Sequence, residues 1–335
     1  MQLNEIWFLI VGVLFIGYFI LDGFDFGVGI ALPFLGKDDT DRRVLINAIG
    51  PVWDMNETWV LVAGASLFAA FPDWYASLFA GFYLPLLLIL LALIARGVSF
   101  EYRGKGETAR WRKTFDNMIF IGSVVPALLW GVAFANIVQG VPLDAKHNYT
   151  GDLFTLLNPY GLLGGLVTLS LFFTYGLVFI SLKTDGDIRG RARALATKVG
   201  VVTVVLAATF LLWTLFAHFT VFGLVLTLLA AVALVAALWF NLKGREGISF
   251  SLLVFTIATA VGALFTALFP KVLPSTVDPA NNSLTIANAS SSEYTLTVMT
   301  WVVVIALPLV LTYQGWTYWV FKKRVTRDSI PAGSH

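Results

Sequence analysis

All but two of the 22 Lys and Arg residues in this chain fall on one side once its apolar stretches are taken as membrane crossings. Those stretches lie near residues 6–34, 45–71, 75–96, 115–139, 159–182, 198–218, 222–242, 249–269 and 294–321. Each approaches or exceeds the ~20 residues that a helix needs to cross the hydrocarbon core. The basic residues collect on alternate connections and at the C-terminus, leaving Lys146 and Lys271 on the other side. By the positive-inside rule the N-terminus faces out and the C-terminus faces the cytoplasm. A backbone in lipid must satisfy its own hydrogen bonds, so the stretches have to be helices. The expected fold is an all-α integral membrane protein: nine transmembrane helices in one polytopic bundle spanning residues 1–335.

At 58% hydrophobic and 13% charged, the chain lies outside the range of soluble domains. The first apolar stretch does not read as a cleavable signal, because it lacks a basic leader and carries Asp22 and Asp25. A net charge of +2 implies no nucleic-acid partner, and orientation in the bilayer accounts for the basic segments. With no cysteine, disulfides, thiolate metal sites and iron–sulfur ligation by this chain are excluded. No internal repeat is visible, so an inverted-repeat transporter has no support in the sequence. The stretches Arg96–Thr114 and Lys183–Lys198 mix charge with apolar residues and read as helices lying in the interface. The outer segment Pro270–Glu293, rich in Asn, Ser and Thr, reads as an ordered cap or a contact surface.

The chemistry is carried by acids inside apolar spans. A charge at mid-bilayer costs ~2.5–3.5 kcal/mol, so such residues face the bundle interior and mark functional positions. ILDGFDFGVG places Asp22 and Asp25 three apart, on one helix face. About 16 residues of rise put Asp22 roughly 24 Å from the outer surface. Gly23, Gly27 and Gly29 permit close approach of a second helix. AIGPVWDMNETW places Asp54 and Glu57 three apart as well, with Asp54 roughly 14 Å from the inner surface and Pro51 bending the helix before it. The functional reading is a proton path through Asp54 and Asp25, with Asn56 and water bridging them. In the structural alternative, Asp22 pairs with Arg42 or Arg43, Asp54 bonds a broken backbone, and Arg96 pairs locally with Glu101. Asp22 and Glu57 fit a supporting role, and Trp53 and Trp59 flank the acids as packing for the core or for a partner.

Three histidines leave little for haem or metal ligation. His147 lies in an outer loop, His335 ends the chain, and His218 alone sits at membrane depth. A membrane cytochrome draws paired axial ligands from packed helices, which this set does not offer. Trp7, Trp74, Trp316 and Trp319 stand near span ends, as interface anchors do.

Several long runs identify a relative. DGFDFGVG, FLGKDDTDRRVLINAIGPVWDMNETW, LFAAFPDWYASLFAGFYLPL, RGVSFEYR, RWRKTFDNMIFIGSVVPALLWGVAFANIVQGVP, NPYGLLGGL and LTIANASSSEYTLTVMTWV occur in order over nearly the whole chain. Together they resemble subunit II of the cytochrome bd quinol oxidases. Met55 departs from the glycine common after the Trp-Asp pair and puts a bulkier side chain beside Asp54.

The resemblance implies a haem-bearing subunit I as partner, carrying two b-type haems and one d-type haem, in a complex that oxidises quinol and reduces dioxygen to water. It implies that this chain ligates no haem, supports assembly, and delivers cytoplasmic protons through Asp54 with Asp25 as companion, so that turnover builds a proton-motive force. It further implies a bacterial or archaeal cytoplasmic membrane, contact with the lipid bilayer, small accessory subunits in some members and a structural quinone in some. A stand-alone proton-coupled transporter is the alternative that buried acids in a glycine-containing bundle also fit.

Overall fold

The computed structural model describes residues 2–330, so His335 lies outside the described residues. Its helices are α1 (Leu3–Leu35), α2 (Asp39–Ile49), α3 (Trp53–Ala70), α4 (Pro72–Gly81), α5 (Tyr83–Tyr102), α6 (Ala109–Gln139), α7 (Leu153–Leu156), α8 (Pro159–Lys183), α9 (Gly186–Ala217), α10 (Val221–Leu242), α11 (Glu246–Leu268) and α12 (Glu293–Val320). Among the described residues eight segments are long and apolar enough to cross a membrane: α1, α5 with the turn that follows it, α6, and α8 to α12.

The stretch 45–71 is not one continuous rod. α2 ends at Ile49, and Gly50, Pro51 and Val52 separate it from α3. Gly50 stays right-handed helical, but Pro51 supplies no N–H to the helix ladder and the backbone leaves helix at Val52 (φ −127°, ψ −21°), so the chain breaks where Pro51 was expected only to bend it. α3 opens with WDMNET, and these polar turns keep its 18 residues out of the apolar eight. The stretch 75–96 likewise falls across two helices, α4 and α5, separated at Phe82.

Two further boundaries correct the sequence reading. Arg96–Thr114 is no interfacial helix: α5 continues to Tyr102, a short turn spans Arg103–Lys105, and α6 begins at Ala109. The basic stretch Lys183–Lys198 instead forms the end of α8 and the first turns of α9, a helix of 32 residues.

α1 is the central post. From Asp22 to Leu32 every residue is buried, with α8, α3, α6 and α11 packed around it. Its glycines admit two neighbours rather than one. A Cβ on Gly27 would overlap the Phe172 carbonyl and the Gly176 backbone of α8, while Gly29 faces Ser123 of α6. Close contact of this kind drives helix association in lipid, where burying apolar area gains nothing.

The ends of the bundle differ. At one end, strand β1 (Lys271–Leu273) pairs antiparallel with β2 (Leu284–Thr285), and Val141 bridges to Ser275, giving Pro270–Glu293 an ordered core. At the other, the basic residues are knotted to carboxylates. Asp41 receives Arg191 at 2.8 Å and Arg327 at 2.6 Å, while Asp116 receives Arg103 at 2.5 Å and Arg42 at 3.0 Å. Trp7 and Trp74 belong to the interior, not to an interface belt: Trp7 has no exposure and donates to the Leu296 carbonyl, and Trp74 is 2% exposed. Trp316 and Trp319 are exposed on α12, as anchors should be.

Candidate functional site

The site lies where α1, α3, α5 and α12 meet. Asp22 and Asp25 project from α1 one turn apart and have no exposure. Asp22 Oδ1 accepts from Arg96 Nη2 at 2.6 Å, and the same nitrogen donates to Glu57 Oε2 at 2.9 Å. Arg96, on α5, is also fully enclosed, with its guanidinium 4.3 Å from the centroid of the Phe26 ring. One cation therefore holds two carboxylates from different helices, and neither the Arg42–Asp22 pair nor the local Arg96–Glu101 pair expected from the sequence forms. Arg42 goes to Asp116.

Asp25 has a different surrounding. Its Oδ2 accepts from Asn56 Nδ2 at 2.7 Å, and no basic side chain bonds it. Asn56 Oδ1 in turn accepts from Tyr318 Oη at 2.8 Å and from Gln314 Nε2 at 3.1 Å. Trp59 Nε1 donates to Gln314 Oε1 at 2.8 Å. Asn56 thus joins Asp25 by a direct bond and makes none to Asp54, while Trp59 fills the core and closes the amide network. Trp53 is half-buried and packs its ring 5.0 Å from that of Phe100.

Asp54 is not enclosed. It is exposed on the wall of a 680 Å³ cavity that it shares with Glu57, Leu61, Phe68, Phe79 and Tyr83. Glu57 faces both ways, lining the cavity and binding Arg96. Two carboxyls, Asp22 and Glu57, therefore share one guanidinium, Asp25 lies one turn from Asp22 on Asn56, and Asp54 stands on the open side.

Several buried atoms of the cluster have no protein partner: Asp22 Oδ2, Asp25 Oδ1, and Arg96 Nε and Nη1. Unpaired polar atoms in an apolar interior are costly, and water satisfies such groups at buried polar sites. The arrangement can hold a proton on an acid and pass it through water to another acid. Haem is a poor fit. Among the described residues no cluster of three or more His, Cys, Asp or Glu could hold a metal ion, His147 sits in a loop at φ 60°, and His218 caps the end of α9. Among the described residues no pair of facing imidazoles is present to act as axial ligands.

Sequence reasoning missed Arg96, Gln314 and Tyr318 as members of the site. An arginine within an apolar span and a glutamine inside the last one were the available signals.

Comparison with known proteins agrees over the whole chain. A family model described as cytochrome bd terminal oxidase subunit II matches residues 3–321. The chain is 43% identical over 330 residues to cytochrome bd ubiquinol oxidase subunit 2 of Bacillus subtilis, covering 97% of each. It is 39% identical over 371 residues to cytochrome bd-I ubiquinol oxidase subunit 2 of Escherichia coli K12, covering 99% of this chain and 98% of the other. Its fold is similar to a chain of the bd oxidase structure from Geobacillus thermodenitrificans, with a TM-score of 0.77 at 17% identity, covering 96% of this chain and 99% of that one. Long apolar helices, full-length coverage and matched order point the same way: this chain belongs to the cytochrome bd terminal oxidase subunit II family.

Proposed function

We propose that this chain is the haem-free subunit II of a quinol:dioxygen oxidoreductase and that its acids carry protons from the cytoplasm toward the oxygen-reducing site of subunit I. It is a multi-pass protein of a bacterial membrane, placed by the proposal in the cytoplasmic membrane with the N-terminus outside, the C-terminus inside, and α2–α3 as the ninth crossing. Subunit I would hold the b and d haems and receive quinol, in keeping with the poor donor set here.

The observation that carries the proton role is the asymmetry of Asp25. One oxygen is fixed by Asn56 and the other is buried without a protein partner. Asp54 on the cavity wall collects the proton, Glu57 spans cavity and cluster, and Asp25 Oδ1 holds it. Arg96 bonds both Asp22 and Glu57, but one guanidinium offsets only one carboxylate, so the surplus negative charge of the cluster favours keeping a proton among its acids.

The test is Asp54→Asn in the assembled complex. Loss of an acid–base group predicts quinol-driven oxygen consumption reduced by on the order of tenfold or more, with haem content retained. Unchanged turnover in that complex overturns the proton role. The subunit reading itself is checked by a reduced-minus-oxidised spectrum of the purified chain with whatever accompanies it. Haem bands with a second large polypeptide support it; a colourless, stable single chain supports the transporter.

A further inference from the structure

α12 is the least enclosed of the long helices: Leu296, Gln314 and Thr317 are its buried residues, while Trp301, Ile305, Leu309 and Trp316 point outward. On such a helix an inward-pointing amide is conspicuous, since burying it is costly unless both its ends are satisfied. Both are. Gln314 Oε1 accepts from Trp59, and Nε2 donates to Asn56 Oδ1. Tyr318 lies four residues on, on the same helix face, and its hydroxyl donates to that oxygen too.

An amide oxygen has two lone pairs, and α12 occupies both on Asn56. Turning the Asn56 amide over would set its NH₂ against the Gln314 NH₂, whose own orientation Trp59 fixes, and remove the donor from Asp25. The orientation is therefore locked, and Nδ2 must face Asp25 Oδ2 at 2.7 Å. A carboxyl held at one oxygen presents the other in a fixed direction. An amide does not itself relay a proton without changing tautomer, so the contribution of Asn56 is geometric.

We infer that Gln314 and Tyr318 are positioning residues for proton transfer: from α12 they lock the Asn56 amide, which aims Asp25 so that Oδ1 is the oxygen that takes and releases the proton. The inference rests on Asp25 being the proton carrier. Asp22 on α1, Glu57 on α3, Arg96 on α5 and Tyr175 on α8 also act on or around Asp25, and the variants below leave all of them in place.

The experiment compares Tyr318→Phe, which keeps the ring, with Tyr318→Phe/Gln314→Leu in the intact complex, each checked for wild-type haem content. The single variant is expected to lower kcat by about three- to tenfold, the range that loss of one hydrogen bond supplies. The double variant should lower it further, with KM for quinol unchanged and the solvent deuterium isotope effect on kcat increased. A structural role would alter haem content or stability without raising that isotope effect. Wild-type kcat and isotope effect in a haem-loaded Tyr318→Phe complex overturn the inference, and the single variant carries the test where the double one fails to assemble. Asp25→Asn separates the two failures: wild-type turnover there overturns the underlying proton reading, whereas slow Asp25→Asn beside normal Tyr318→Phe overturns only the positioning role.

Discussion

Arg96 Nη2 lies 2.6 Å from Asp22 Oδ1, and neither side chain retains any exposure. The same nitrogen reaches Glu57, which is 22% exposed at its side chain. A buried ion pair of this kind adds little over an apolar replacement, but breaking it from one side is expensive, because the remaining charge has nowhere to go.

Arg96→Met should therefore destabilise the protein by about 3–5 kcal/mol, leaving Asp22 and Glu57 uncompensated. Adding Asp22→Asn to that variant should recover part of the loss. Thermal unfolding of the purified complex checks both, and a wild-type Tm for Arg96→Met alone would count against this role.

The α1–α8 contact makes a second prediction. Gly27→Ala inserts a methyl where the Phe172 carbonyl and Gly176 already lie, and overpacking of this sort costs about 1–3 kcal/mol. Gly190→Ala serves as the opposite case. It sits exposed in α9 with nothing within 4 Å of the new Cβ, so helix propensity should make it neutral or stabilising by about 0.5–1 kcal/mol. Unfolding midpoints of the two variants should move in opposite directions or, at the least, differ clearly.

Asp38 anchors the segment after α12. Its side chain caps α2 through the Asp41 N–H and receives Arg327 at 2.7 Å. The Asp41 N–H first, and Arg327 second, hold its carboxyl below the usual aspartate value. A depressed folded value means that the stabilisation is fully present above the ordinary 3.8 and is lost as pH falls through the lower folded value. Cleavage by pepsin near Phe321 should accelerate as the pH drops through that window. Arg327→Gln should show fast cleavage at higher pH than wild type, and identical profiles would contradict the link.

The chain has no cysteine, so single introduced cysteines report topology without background. Lys37→Cys should react with a membrane-impermeant thiol reagent only after cells are permeabilised, whereas Asp73→Cys and Lys146→Cys should react in intact cells. Positions 37 and 73 flank α2 and α3, so labelling of both from the same side would remove the ninth crossing.

What could be read from the sequence was whatever lies close along the chain. The apolar runs mark the long helices, the spacing of Asp22 and Asp25 marks their shared face, and Asn56 stands beside Asp25, the one acid it bonds. Pairings across the bundle were invisible. Arg96 lies 74 residues from Asp22 and Gln314 lies 258 from Asn56, and no local pattern tells an inward arginine from one that pairs with Glu101. Asp54 shows a related limit: depth along a helix follows from residue count, but the side of the helix facing a cavity is fixed by the neighbours, here α4 and α5. The tryptophans show the same limit, since Trp7 and Trp316 both stand near span ends and only packing separates the core residue from the exposed one.

Asp25 as the proton carrier is decided by proton uptake from the cytoplasmic side during a single turnover of the fully reduced Asp25→Asn complex with oxygen, its haem content matched to wild type. Uptake should slow by on the order of tenfold or more while oxygen still binds at the wild-type rate. Uptake at the wild-type rate in that complex would contradict it and leave Asp25 a structural role alone.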